Sequence, residues 1–239
     1  TDVERSKVEF EKSIKEDLCW AGLNWDSLVK QSDRLSRYKQ VLESLIEKEL
    51  VYPCFETPEE LSLKRKSQLS SGKPPVYDRS SLKLSLKDIE NFKSQGRKPH
   101  YRFLLKHETV FWNDMVRGDS KYNMGNISDP IIVREDGRFI YTLASVIDDI
   151  DLDISHVIRG EDHVTNSAAQ IQIFNSLGAN LPVMGHLSLM TDIKGEGFSK
   201  RTGGLSIKNL RNDEIESLSL NSYLSLAGTS ENIILKENL

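Results

Sequence analysis

From residue 131 to residue 190 the chain alternates between strand-like and helix-like patterns. Ile131-Ile132-Val133 and Phe139-Ile140-Tyr141 flank Asp136-Gly137, a hairpin signal because Gly accepts the positive φ that a tight turn demands. Helical patterning follows over 142–149, a β-branched strand over 156–159, a helix over 166–177 ended by Gly178, and a short apolar strand over 187–190. Strands separated by a full helix cannot close as a hairpin, so the crossover sets them parallel with the helix on one face. The fold class this predicts is α/β, built on a parallel, Rossmann-like sheet whose ligands sit beyond the carboxyl ends of the strands.

The rest of the chain departs from that rhythm. Residues 3–23 repeat apolar positions (Val8, Ile14, Leu18, Ala21) at helical spacing with Gly22 as the stop, and residues 34–49 do so again, with Ser32 or Asp33 as the expected cap. Leu50-Val51-Tyr52 reads as a short strand, and Thr57-Pro58-Glu59-Glu60 as a helix start: a cap, a proline at the first helical position and an acidic first turn. A Ser-, Lys- and Pro-rich stretch at 64–99 and β-rich stretches at 101–106 and 109–117 interrupt the alternation, so 55–137 reads as an inserted α+β subdomain. After Ser206 the pattern is helical again. At 239 residues the chain has room for a domain with such an insertion.

Composition excludes several classes. Hydrophobic residues at 38% and charged residues at 28% describe a globular chain, and a net charge of −4 gives no overall attraction to nucleic acid, leaving any such contact to local basic clusters. Two cysteines, Cys19 and Cys54, supply neither a disulfide framework nor a four-cysteine zinc site, which points to a reducing cytoplasm. No apolar stretch has the length of a membrane span. The opening Thr1-Asp2-Val3-Glu4-Arg5-Ser6 lacks Met and runs straight into a helix, as expected of a piece of a longer protein.

Two segments carry chemistry. Phe198-Ser199-Lys200-Arg201-Thr202-Gly203-Gly204 is a small-residue loop with a cationic pair, suited to stabilising polyphosphate oxygens. His156-Val157-Ile158-Arg159-Gly160-Glu161-Asp162-His163 is a strand ending in charged groups. Arg159 suits a carboxylate clamp, against the plainer reading of a surface pair with Glu161 or Asp162. Tyr141 matters only if its hydroxyl lies beside Arg159. Asp148-Asp149 reads as solvated helix-end acids rather than a metal pair, and His163 has no second ligand at metal spacing.

These motifs, in this order, resemble bacterial glutamyl-tRNA synthetase, a class I aminoacyl-tRNA synthetase. Gly22-Leu23-Asn24-Trp25-Asp26, Gln31-Ser32-Asp33-Arg34, Phe55-Glu56-Thr57-Pro58-Glu59-Glu60-Leu61, Tyr141-Thr142-Leu143-Ala144-Ser145-Val146-Ile147-Asp148-Asp149, Val157-Ile158-Arg159-Gly160-Glu161-Asp162-His163 and Phe198-Ser199-Lys200-Arg201 carry the likeness. The last resembles the family's second signature, with Gly197 in place of its leading Lys. The first signature, His-Ile-Gly-His, is absent.

The resemblance implies a ligase that condenses L-glutamate with ATP, carried as its Mg²⁺ complex, to glutamyl-adenylate. It then esterifies the 3′ end of tRNA(Glu), or of tRNA(Gln) as well. It further implies Tyr141, Ser145 and Arg159 on glutamate, Asp162, His163, Met190, Ser199 and Lys200 on ATP, and Lys200 as the catalytic cation. Asp2, Arg5, Lys64 and Arg65 are its candidate tRNA contacts. It divides the chain into a first catalytic part (1–54), the acceptor-stem insertion (55–137), a second catalytic part (138–195) and the lysine loop with the start of a helical stem-contact region (196–239). Glu56 stands where zinc-carrying relatives place a second cysteine, so no zinc is expected. The family suggests a monomer. Without the first signature, the chain alone is expected to be inactive. Two other readings are a non-catalytic RNA-binding or regulatory paralogue on the same scaffold and a glutamyl-queuosine tRNA(Asp) synthetase.

Overall fold

The computed structural model describes residues 6–191 and 206–227, and the chain divides into two compact units, each considered by itself. The larger, Lys30–Leu187, holds all seven strands found among the described residues. Helix α2 (Leu35–Glu47) buries Tyr38, Val41 and Leu45 at helical spacing, which makes one face apolar enough to pack. It is entered through a 3₁₀ turn at Gln31–Arg34, and neither Ser32 nor Asp33 caps it: the N-cap position is Arg34, with no side-chain cap bond. The residues expected to cap are instead spent inside that tighter turn.

Strand β1 (Val51–Cys54) starts one residue later than expected and tolerates Pro53 because it pairs on one side only, with β2 (His100–Phe103). Helix α3 (Pro58–Ser70) begins as the sequence dictates: Thr57 Oγ1 accepts from the Glu60 N–H and Glu60 reaches back to the Thr57 N–H, a complete capping box. Helix α4 (Leu86–Ser94) repeats the device with Ser85 and Asp88. Strand β5 (Ile131–Val133) completes an antiparallel three-stranded sheet in the order β1-β2-β5. The Asp136-Gly137 turn forms, with Gly137 at φ 83°, but its second arm is reduced to one bridge, Val133 to Phe139.

The second sheet has the order β4-β3-β7-β6. Strand β6 (His156–Gly160) runs into helix α6 (Val164–Ser176) and returns as β7 (Val183–Leu187), parallel to β6 over five residue pairs, as the alternation requires. The expected apolar strand at 187–190 is displaced: the chain pairs over 183–187 instead, and Leu187, Leu189 and Met190 are exposed. Strand β3 (Thr109–Asp114) joins β7 in parallel and carries β4 (Gly118–Asn123), a polar edge strand the residue pattern does not announce. Residues from the 55–137 block thus enter both sheets. Their buried side chains Phe103, Trp112 and Ile132 join one core with Tyr38 of α2, with Leu143 and Ile147 of helix α5 (Tyr141–Asp151), with Phe174 of α6 and with Met184 of β7.

The smaller unit comprises 2–29 and 188–239, of which 6–29, 188–191 and 206–227 are described. It holds helices α1 (Val8–Trp20), α7 (Ile207–Asn212) and α8 (Ser217–Leu226). Gly22 at φ 76° ends the α1 segment. Arg211 lies within 3.6 Å of Glu16 and 3.4 Å of Asp17, and Asn221 donates to the Ala21 carbonyl at 2.9 Å.

Candidate active site

Arg159 lies one residue from the carboxyl end of β6, where the chain turns into the 3₁₀ segment Glu161–His163. Its Nη1 donates to the Tyr141 hydroxyl at 2.7 Å, and its Nη2 donates to Ser167 Oγ at 2.7 Å and Gln170 Oε1 at 2.6 Å. All three acceptors are neutral. The plainer pairing with Glu161 does not occur, because Glu161 accepts from Arg117 at 2.6 Å. Among the described residues no carboxylate hydrogen-bonds Arg159, and its buried Nε has no partner. A guanidinium oriented by neutral oxygens keeps its charge for an incoming anion, and its fork geometry matches a carboxylate.

Tyr141 opens α5 at the sheet edge, 39% exposed, with its ring 5.4 Å from that of His163. Ser145, one turn along α5, joins the same group: Gln170 Nε2 donates to Ser145 Oγ at 2.7 Å, and Ser145 donates to the Tyr141 carbonyl at 2.6 Å. The three predicted glutamate residues thus form one hydrogen-bonded set, with Gln170 and Ser167 as the members the sequence reading lacked. Those two sit on α6, where every residue from Ser167 to Phe174 is buried. The available signal was Ser167, Gln170 and Gln172 within 167–174, a stretch otherwise made of Ala, Ile and Phe, since buried polar side chains are there to hydrogen-bond.

Asp162 is exposed, 3.9 Å from His163 Nε2. Met190 is exposed in the smaller unit. Asp2, Arg5, Ser199 and Lys200 lie outside the described residues. Lys64 is held by Ser80 at 2.6 Å and by Glu56 at 3.3 Å, while Arg65 is exposed on α3. Both line a cleft of about 460 Å³ with Gln68, Tyr77 and Arg102.

The two aspartates near the end of α5 are not merely solvated. Asp148 accepts from Gln31 at 2.9 Å, Arg34 at 2.6 Å and Tyr38 at 2.8 Å, tying α5 to the start of α2. Asp149 is pushed up to about 6, chiefly by burial, with Asp148 adding to the rise and Arg159 opposing it. A carboxyl that binds its proton more tightly when folded favours the folded state at low pH and loses that contribution as pH rises. The Asp149 contribution to stability is therefore expected to fall as pH climbs from about 4 towards 6, opposing that of His100, which burial holds at about 4 and whose contribution rises over the same window, so Asp149→Asn should make stability climb more steeply with pH. Denaturant melts of both proteins across that window are the check, and an unchanged slope in the variant would count against it.

A second polar cluster surrounds Glu56. Burial alone would push its carboxyl up, but hydrogen bonds from Tyr77 at 2.7 Å, Ser81 at 2.8 Å and Ser80 at 2.9 Å hold it down at about 2. Cys54 and His100 bring ligand atoms within 4.8 Å of it and of each other. Burial raises the Cys54 thiol and lowers His100 to about 4.

A family model described as the catalytic domain of class I tRNA synthetases (E and Q) matches residues 1–238. A glutamate–tRNA ligase of Rickettsia canadensis is 51% identical over the whole chain, and one of Azospirillum brasilense is 50% identical over 98% of it. The chain covers 54% and 52% of these proteins, so it spans about half the length of the curated relatives it matches. A solved glutamate tRNA ligase from Elizabethkingia meningosepticum, in complex with its amino acid, superposes over 84% of this chain and 44% of its own with a TM-score of 0.73 and 28% identity. The glutamate-tRNA synthetase of Elizabethkingia anophelis gives 0.74 over 89% of this chain and 45% of its own, at 27% identity.

Proposed function

Since this chain belongs to the class I tRNA synthetase (E and Q) catalytic-domain family, we propose that the complete protein carrying it is a glutamate–tRNA ligase. A glutamate carboxylate oxygen attacks the α-phosphorus of ATP, the bond to the β-phosphate breaks and pyrophosphate leaves. The 3′-terminal ribose hydroxyl of tRNA(Glu) then takes the glutamyl group, and AMP is released. Such a reaction needs positioning and charge stabilisation more than a side-chain nucleophile.

The observation that carries this reading is Arg159, held by hydrogen bonds to Tyr141, Ser167 and Gln170 and to no carboxylate among the described residues. We assign Arg159, Tyr141 and Ser145 to glutamate. Asp162, His163, Met190 and Ser199 go to ATP, supplied as its Mg²⁺ complex, and Lys200 to the charge developing on the phosphates. The 55–137 insertion, with Lys64 and Arg65 on its cleft, is proposed to meet the tRNA, together with Asp2 and Arg5. The Glu56 cluster is read as a zinc-free, hydrogen-bonded clip: a structural zinc site needs deprotonated donors, whereas Glu56 is already engaged by three hydroxyls and burial keeps Cys54 a thiol. Two cysteines that form no disulfide suit a reducing cytoplasm, and a monomer is the proposed state.

The complete protein is expected to exchange pyrophosphate into ATP with L-glutamate, assayed with and without tRNA, and L-glutamine should not substitute. No exchange in either condition would favour the non-catalytic paralogue, and charging of tRNA(Asp) alone the queuosine reading.

A further inference from the structure

Behind Arg159 lies a chain of buried polar groups drawn from three separate elements. Ser167 on α6 is fully buried, and its Oγ sits 2.7 Å from Arg159 Nη2 and 2.6 Å from His186 Nε2. His186 on β7 is 1% exposed, and its Nδ1 contacts Asp114 Oδ2 at the end of β3. Asp114, also 1% exposed, accepts further from Trp112 Nε1 at 3.2 Å and from the backbone N–H groups of Val116, Arg117 and His186 at 3.1 Å each. Burial would push the Asp114 carboxyl up, but the bonds from His186 and those backbone groups outweigh it and hold it well below the usual range.

The donors and acceptors in this chain have a direction. An ionised Asp114 can only accept, so the His186 proton belongs on Nδ1 and Nε2 is left as an acceptor. The Ser167 hydroxyl has two acceptors in reach, the His163 carbonyl at 3.1 Å and His186 Nε2 at 2.6 Å; it donates to the nearer ring nitrogen and turns a lone pair to the guanidinium. The reverse order would aim a second N–H donor and Arg159 at one buried oxygen, and a protonated ring would bring two cations together there, where low dielectric makes repulsion costly.

We propose that Asp114, His186 and Ser167 are positioning residues, a one-way relay that presents Ser167 as a neutral acceptor to Arg159 and so aims the glutamate clamp without neutralising it. The relay makes the clamp depend on the β3–β7 junction: His186 rides on the strand that pairs with β6, and Asp114 is the one β3 residue in register with β7, opposite Met184. It deepens the glutamate-activating reading and rests on it.

The test uses the complete protein. In the unaltered protein, ¹⁵N-histidine NMR, assigned with His186→Gln, is expected to show His186 protonated at Nδ1 and bare at Nε2. A proton on Nε2 overturns the relay whether or not any variant folds. In glutamate-dependent pyrophosphate exchange, Ser167→Ala should raise the glutamate KM about tenfold, with kcat and the ATP KM within about twofold. Asp114→Asn, which disturbs the His186 tautomer, should raise it about threefold, and should add less than about twofold once Ser167 is alanine. Additive effects, equal rises in the ATP KM, or no change in Ser167→Ala would each overturn the proposal. The glutamate reading itself fails separately, if the unaltered protein shows no glutamate-dependent exchange.

Discussion

Arg159→Ala is expected to raise the glutamate KM of the complete protein on the order of 100-fold or more, with a much smaller effect on the KM for ATP. The reasoning starts from the three neutral bonds that orient the guanidinium, to Tyr141, Ser167 and Gln170. A charge-assisted bond is worth roughly 1.5–3 kcal/mol, and truncating a buried charged partner costs about 2–5 kcal/mol, partly because its neighbours lose their donor. Ser167 and Gln170 are both buried, so water cannot easily take the place of the missing guanidinium. Arg159→Lys keeps a positive charge but offers a point donor in place of a fork, and should recover only part of the loss, leaving roughly a tenfold deficit. Steady-state exchange kinetics with each substrate varied separately provide the measurement. A glutamate KM within twofold of the unaltered protein in Arg159→Ala would remove Arg159 from the substrate site.

The second large effect concerns stability. Asp129 is 2% exposed and accepts from the Tyr52 hydroxyl at 2.6 Å, from Arg79 Nε at 2.8 Å and Nη2 at 2.7 Å, and from the Leu105 N–H at 3.0 Å. These four bonds tie three parts of the unit: the first strand of the antiparallel sheet, the segment between α3 and α4, and the stretch after β2. Removing one member of a buried ion pair leaves its partner uncompensated, at a cost of about 3–5 kcal/mol. Asp129→Ala should therefore destabilise the protein by that amount, enough to consume a large share of a typical folding free energy. Urea melts of the two proteins decide it. A loss under 1 kcal/mol would show that the cluster contributes little beyond its own desolvation. Because the hydrogen-bond partners of Asp129 (Tyr52, Arg79 and Leu105) are none of those of Arg159, residual folded protein should keep its glutamate KM, which separates this effect from the first.

The legible parts of the molecule were those whose physics is local. The Thr57-Pro58-Glu59-Glu60 start, the Gly22 and Gly178 stops and the Asp136-Gly137 turn all depend on groups within a few residues, and all appear in the structure. Tyr141, Ser145 and Arg159 were legible through motif order, and the structure brings them into one hydrogen-bonded set. What the residue pattern hid was non-local. Strand β4, with the sequence Gly-Asp-Ser-Lys-Tyr-Asn, is polar enough to read as loop and becomes a strand only because β3 offers it a complete ladder. Strand β7 contains Gly185 and His186, which mask it, while the more apolar Leu187–Met190 run beside it ends up exposed. Asp148 read as a helix-end acid because its partners Gln31, Arg34 and Tyr38 are more than a hundred residues away.

Alone, the amino-acid order determined the Thr57 helix start and the Gly22 and Gly178 helix stops, that β6 and β7 run parallel around a crossover helix, and, through motif order, that Tyr141 and Arg159 belong together. Those outcomes follow from backbone geometry, side-chain period and the chemistry of single groups. Tertiary structure alone decided that Arg159 meets no carboxylate hydrogen-bond partner among the described residues, that Ser167, Gln170, His186 and Asp114 stand behind it, and that residues 55–137 share a sheet and a core with the rest. The physical reason is common to all three: a buried polar group is defined by what surrounds it, and its neighbours come from strands and helices that only the folded chain brings within hydrogen-bonding distance.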